Sequence, residues 1–225
     1  MSLYRVYAVN RKTKIESIPE DLPILKGISL PDRNCFLIGL IGTNRTGKTS
    51  KVREIVQQWK ASRPGQEVVA FDPQLKLQDL IDRQIGISDD LTQLHTLRNC
   101  LLVFDDFRAL HLPDKTEKWL VYLMQFRDQW NIDIIYVVHN PSLVLTVLSF
   151  FTTHYYIFYT QSIEGGWKKK IPTYTVCSAV SSYLVEYVSI AGMGTYPKFP
   201  HFIVDNKGNK AIAVNIKSYD KRRIE

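Results

Sequence analysis

The sequence is poor in the features that would set it apart from ordinary globular proteins. Its 225 residues hold three cysteines, Cys35, Cys100 and Cys177. No two are close together, which argues against a disulfide framework or a clustered zinc site and suits a reducing compartment. The opening stretch, MSLYRVYAVNRKTK, lacks the apolar core of a secretory leader. No apolar run reaches the roughly 18 residues of a membrane span. The richest stretch, 143–160, is interrupted by Ser149, Thr152, Thr153 and His154, and reads as a buried helix followed by a buried strand. No internal repeat and no low-complexity linker divides the chain, so one domain over residues 1–225 is expected.

Charge is not scarce. Twenty-nine basic residues against 22 acidic ones give a net charge of +7. That balance suits an acidic partner such as DNA, and equally a protein with no such partner. Hydrophobic content of 45% with 23% charged residues describes a chain able to bury a sizeable core.

One stretch carries specific chemistry: Gly42-Thr43-Asn44-Arg45-Thr46-Gly47-Lys48-Thr49-Ser50. It matches Gly-x4-Gly-Lys-Thr, the phosphate-binding P-loop. Glycines let the backbone curl so that successive N–H groups face phosphate oxygens. Lys48 can reach the β- and γ-phosphates of ATP, and Thr49 can place its hydroxyl on Mg²⁺. The context is right. Residues 34–41, NCFLIGLI, read as a buried strand, and Val52, Ile55, Val56 and Trp59 follow at helical spacing.

Further strands end in polar residues. Glu67 to Phe71 leads into Asp72-Pro73. Cys100 to Phe104 leads into Asp105-Asp106, the Walker B arrangement of P-loop enzymes. There Asp105 is expected on the metal side opposite Thr49, and Asp106 as the group that orients or deprotonates the attacking water. Ile132 to Val138 ends in His139-Asn140-Pro141, where either His139 or Asn140 can donate an N–H to a γ-phosphate.

The rest of the chain is plainer. Tyr4, Val6 and Ala8 suggest an early strand, followed by a proline-punctuated lead-in to residue 33. Residues 75–90 read as a short helix with a loop. A helix is predicted over 113–130, with Trp119, Tyr122, Leu123, Phe126 and Trp130 on a core-facing stripe and Arg127 near its end. Another is predicted over 142–151, and a third around Val180, Tyr183, Leu184, Tyr187 and Val188, closed by Gly192 and Gly194. Residues 164–170 form an expected hairpin tip, where Lys168, Lys169 and Lys170 beside Trp167 make either a solvated face or a nucleic-acid contact. Phe202 to Val214 reads as a C-terminal hairpin, and the tail is basic.

In their order, these landmarks resemble the FtsK–HerA superfamily of DNA-pumping ATPases, and within it the small genome-packaging ATPases of viruses. The resemblance covers about residues 34–160. His139 stands where the family commonly has Gln, and Asp106 where it commonly has Glu. The resemblance implies an α/β P-loop NTPase with a central, mostly parallel sheet, in which the His139 strand lies between the P-loop strand and the Asp105 strand. It implies ATP hydrolysis with Mg²⁺, coupled to translocation of DNA, and a homo-oligomeric ring. In such a ring a neighbour supplies an arginine finger. Arg127 is the first candidate, Arg108 the second, and Arg45 a third that can act in cis. Capsid or portal-vertex proteins and the host cytoplasm are the implied partners and location. Alternatives are a phage-export ATPase of the zonula occludens toxin-like type, a P-loop small-molecule kinase, and a nucleotide-binding assembly protein without turnover.

Overall fold

The structure is a computed structural model, and it describes residues 4–9, 12–17, 35–85, 96–106, 114–160, 173–195, 198–206 and 210–216. Its centre is built from short apolar runs that alternate with helices, the pattern of crossover-connected parallel strands. In chain order the strands are β1 Tyr4–Val9, β2 Lys12–Ser17, β3 Leu37–Ile41, β4 Glu67–Phe71, β5 Arg83–Gln84, β6 Cys100–Phe104, β7 Ile132–Val138, β8 His154–Phe158, β9 His201–Asp205 and β10 Lys210–Val214. The helices are α1 Lys48–Ser62, α2 Asp114–Trp130, α3 Thr146–Phe151 and α4 Tyr174–Ala191.

All ten strands join one sheet in the order β2-β1-β10-β9-β8-β3-β7-β6-β4-β5. From β8 to β5 every pairing is parallel. From β8 to β2 every pairing is antiparallel. The His139 strand, β7, lies between β3 and β6 as expected, and the C-terminal hairpin β9–β10 is present. The antiparallel wing is larger than expected, because β2 pairs with β1 and β1 pairs with β10.

Alternation along β3 divides the core between the two faces of the sheet. Leu37 and Ile41 face a cluster closed by α2, α3 and α4, which contribute Leu123, Leu148, Val180 and Leu184. Phe36, Ile38 and Leu40 face a cluster closed by α1 through Val52, Ile55, Val56 and Trp59. Gly39 lies between Leu37 and Ile41, and its lack of a side chain is used: a Cβ there would sit 2.5 Å from the Tyr136 ring. Tyr136 is fully buried and shares a 2.9 Å hydrogen bond with the Thr152 hydroxyl.

The end of the sheet where the parallel strands begin is clasped by Asp133. Its Oδ1 accepts the Phe36 N–H at 2.9 Å and its Oδ2 accepts the Trp59 indole N–H at 2.7 Å. Arg63 pairs with the same Oδ2 at 2.7 Å. One carboxylate therefore ties β7 to the entry of β3 and to the last turn of α1. Burial pushes the carboxyl above the usual range, against the opposing pull of these donors.

Four expectations need correction. The stretch 75–85 forms turns and the two-residue strand β5 instead of a helix; residues 86–90 lie outside the described residues. The predicted helix over 142–151 is broken. Asn140 caps a 3-10 turn over Pro141–Leu143, and Leu145 is extended before α3 starts. The stripe of α2 is core only in part: Leu123 is buried and Trp130 packs against the core cluster, but the aromatic face is partly open. Leu120, Leu123 and Met124 are buried, whereas Tyr122 is 46% exposed. Phe126 and Trp130 are half-buried, and the rings of Tyr122, Phe126 and Trp130 pack on one another at 4.5–5.6 Å. These rings, one or two helical turns apart, pack on one another along the helix. Fourth, Arg127 points inward and is 6% exposed. Among the described residues no helix is long and apolar enough to cross a membrane.

Candidate nucleotide site

The site lies where the parallel strands end, the edge at which open α/β sheets bind ligands. The loop after β3 turns into α1 through Gly47, whose φ of 93° is left-handed and caps the helix without a side-chain bond. Arg45, at φ 62°, is exposed at the loop tip. The loop is tied down on both sides. The Gly42 N–H donates to the Val138 carbonyl at 3.2 Å and the Thr43 N–H to the Tyr159 carbonyl at 2.8 Å. Inside the loop, the Thr46 hydroxyl donates to the Thr43 carbonyl at 2.9 Å. No acid occupies the first turn of α1, so the partial positive charge of its N-terminus stays uncompensated.

Lys48 is 5% exposed. Its Nζ donates to the Gly42 carbonyl at 2.7 Å and the Thr43 carbonyl at 2.6 Å, and lies 3.5 Å from His139 Nδ1. On the far side of the imidazole, His139 Nε2 stands 3.5 Å from Asp106 Oδ2. Lysine, histidine and aspartate thus form a line from the P-loop across β7 to the end of β6. The Asn140 side-chain oxygen accepts from the Ser142 N–H and hydroxyl. Of the two residues the sequence left open, His139 is the one whose ring stands between Lys48 and Asp106.

Asp105 is buried beside this line, and its N–H donates to the Phe71 carbonyl at 2.9 Å. Burial is the main reason that its carboxyl is held above the usual range. The charges of Asp72 and Asp106 push the same way, while Lys76 and Lys48 oppose them. Asp106, at φ 57°, turns away from the strand line, so the two adjacent acids part: Asp105 goes inward and Asp106 toward His139.

Two neighbours were not singled out in the sequence as site residues. Asp72 is fully buried. Its Oδ2 accepts the Leu77 N–H at 2.6 Å, and its Oδ1 has no hydrogen-bond partner among the described residues. The exposed Lys76 follows in the same turn. The Asp72-Pro73 pair at a strand end was the available signal for both.

These residues fit a triphosphate and a divalent cation. The loop has its glycine cap, a bare helix N-terminus and a buried ammonium. The metal side has a buried carboxylate with a second, partly unpartnered one beside it. Thr49 and Asp105 are the residues that would hold Mg²⁺, which would supply positive charge against the phosphates.

Arg127 does not join the site. It ends α2 at the opposite edge of the sheet, where its carbonyl lies 3.6 Å from Cys35 Sγ. Its Nε and Nη1 have no hydrogen-bond partner among the described residues, its Nε lies 3.6 Å from Asp128 Oδ1, and burial pulls its pKa down. A guanidinium enclosed in this way is not presented to a neighbouring subunit, so the expectation that it is a finger is withdrawn. Arg108, Lys168, Lys169, Lys170 and the basic tail lie outside the described residues.

No family model and no curated protein matches this sequence. Solved structures do match. B204, the DNA-packaging ATPase from Sulfolobus turreted icosahedral virus, superposes with a TM-score of 0.59 at 12% identity, over 82% of this chain and 100% of that one. The genome packaging NTPase B204 from Sulfolobus turreted icosahedral virus 2 in complex with ATP-gammaS gives 0.55 at 11% identity, over 81% and 98%. ATPases 2 and 3 of EccC from Thermomonospora curvata, in complex with a signal sequence peptide, give 0.54 at 12% identity, over 83% of this chain and 37% of that one. At these identities the likeness is one of fold. The chain is an α/β P-loop NTPase in fold, resembling the FtsK–HerA-type ATPases, with viral packaging and secretion ATPases as structural neighbours.

Proposed function

We propose that this protein hydrolyses ATP with Mg²⁺ and uses the energy to move DNA, as a viral genome-packaging motor that works in the host cytoplasm. The observation that carries the hydrolytic half is the line of Lys48, His139 and Asp106, with Asp105 buried beside it. Lys48 is held by loop carbonyls, so the ammonium is already desolvated and placed for phosphate oxygens. Asp106 orients a water or takes its proton, and His139 fixes that carboxylate and reports on the terminal phosphate. Asp106 is one methylene shorter than the glutamate common at this position, and the imidazole bridging it to Lys48 compensates by holding it in place.

The DNA half is supported by the net charge of +7 and by the packaging ATPases among the structural neighbours. The active form in this reading is a ring with basic residues, Lys168 to Lys170 first, facing the channel. With Arg127 enclosed, Arg45 is the described arginine positioned to meet phosphate, and Arg108 is the other candidate.

The deciding experiment is an ATPase assay with and without double-stranded DNA, alongside size measurement with ATP and Mg²⁺. Hydrolysis stimulated by DNA, an assembly larger than a monomer, and a fall of about 100-fold or more in Lys48→Ala are expected. Turnover in Lys48→Ala equal to wild type would refute the site. Turnover indifferent to DNA would leave an ATPase of another cargo class. Transfer of phosphate to a small acceptor would instead identify a kinase.

A further inference from the structure

The sheet order fixes which way a bound nucleotide points. The groups suited to the terminal phosphate, His139 and Asp106, stand on β7 and β6, to one side of β3. A triphosphate threaded through the P-loop with its γ end there must carry its nucleoside toward the other side, over β8 and β9. At that place stands Phe199, two residues before β9 begins at His201.

The Phe199 ring lies directly against the P-loop. A Cβ built on Gly47 would be 2.3 Å from Phe199 Cδ2 and 2.7 Å from Cγ. Gly47 is therefore required twice, once by its φ and once by the aromatic ring. The ring is held firmly from behind. The Phe199 carbonyl lies 3.0 Å from His201 Nδ1 and accepts from Asn215 Nδ2 at 3.3 Å. His201 in turn stacks on Phe158, with centroids 4.7 Å apart. Ahead of it, Lys198 N–H donates to the Thr195 carbonyl at 2.6 Å, and Gly194 fits beneath the Lys198 carbonyl. The ring itself stays half-buried: it packs on the cluster beneath α1 without being enclosed by it. A partly open aromatic ring on a rigid support, one residue from the phosphate-binding lysine, suits the π-face of a base.

We propose that Phe199 is the wall on which the base of the bound nucleotide stacks, so that the segment entering β9 makes this a nucleoside triphosphate site and not merely a polyphosphate site. This rests on the reading of the P-loop as a nucleotide site, and the test separates the two. Binding of ATP-gammaS and of inorganic tripolyphosphate is measured by calorimetry for wild type, Phe199→Ala, Phe199→Leu and Phe199→Trp. Thermal melts monitor folding. If the alanine variant does not fold, the leucine variant, which keeps most of the volume and loses the π-face, carries the comparison. ATP-gammaS binding is expected to weaken about tenfold in the alanine and leucine variants and to be retained in the tryptophan variant. Tripolyphosphate binding is expected to stay within about twofold of wild type in all of them. Equal losses for both probes would make Phe199 a packing residue of the loop and overturn the proposal. Unchanged ATP-gammaS binding in a folded leucine variant would overturn it as well. Wild type that binds neither probe would overturn the nucleotide reading itself, and the base wall with it.

Discussion

His201 makes a pH prediction with a calculable size. The imidazole opens β9, is 4% exposed and stacks on Phe158 with rings 18° from parallel. In its neutral form Nδ1–H donates to the Phe199 carbonyl, 3.0 Å away, which leaves Nε2 buried with no hydrogen-bond partner among the described residues. A second proton would go onto that Nε2, where no described acceptor meets it. Burial, reinforced by the charge of Lys51, accordingly drops its pKa from the ordinary 6.5 to about 4. Such a group is neutral in the fold and takes its proton more readily when unfolded. Its contribution is complete above pH 6.5 and is lost as pH falls toward about 4. At about 1.4 kcal/mol per pH unit the window is worth about 3 kcal/mol. That is a large share of a net stability of about 5–15 kcal/mol.

The assay is urea unfolding of wild type and His201→Phe between about pH 8 and pH 4.5. Phenylalanine keeps the stack and cannot titrate. It also loses the bond to Phe199, which lowers its stability by a constant amount at every pH. Carboxylates protonate in both proteins and cancel in the difference. Wild type should lose about 2–3 kcal/mol relative to the variant across this range. Parallel stability curves would refute the claim that a neutral, enclosed imidazole supports the Phe199 segment.

Other perturbations separate roles within the fold. Asp133→Ala strips the Trp59, Arg63 and Phe36 donors of their acceptor, and should cost about 3–5 kcal/mol in the denaturation midpoint; a loss below about 1 kcal/mol would show that the clasp is not structural. Arg127→Met removes a buried guanidinium whose Nε and Nη1 have no hydrogen-bond partner among the described residues and whose Nε meets the exposed Asp128 at 3.6 Å, so stability should hold or rise and ATP turnover should persist, even in mixtures with wild type. A folded Arg127→Met that has lost turnover would restore the finger reading. Asp106→Asn should slow hydrolysis by about 10²–10⁴-fold while ATP-gammaS binding stays near wild type. Equal losses in both would instead assign Asp106 to nucleotide binding.

The parallel core was legible because its longer strands are largely apolar runs, several of which stop at a polar residue, as β4 stops at Asp72, β6 at Asp105 and β7 at His139. Such runs are the signature of strands covered on both faces. The P-loop was legible because a tight anion cradle admits few residue types. What escaped was decided by partners distant in the chain. β5 is only Arg83 and Gln84, and it exists because Ala70 and Val69 offer a free edge. The direction of the α2 stripe depended on which side Leu120 and Met124 would turn, and spacing alone cannot orient a helix with apolar residues on two faces. Arg127 looked like a surface cation at a helix end and is enclosed instead. Phe199 gave no local sign at all, since its meaning comes from Gly47 across the whole length of the domain.

The pairing of β1 with β10 sets a timetable for the chain. Tyr4 meets Ala213 and Tyr7 meets Lys210, so β1 waits during synthesis for a partner made about 200 residues later. At the usual pace of synthesis that wait is of order ten seconds or more. During it β1 and β2 have only each other, and a lone hairpin is marginal in water. The P-loop strand waits too, because β3 is flanked by β7 and β8, both made about a hundred residues later. Both the nucleotide site and the antiparallel edge of the sheet thus rest on pairings between strands far apart in the chain.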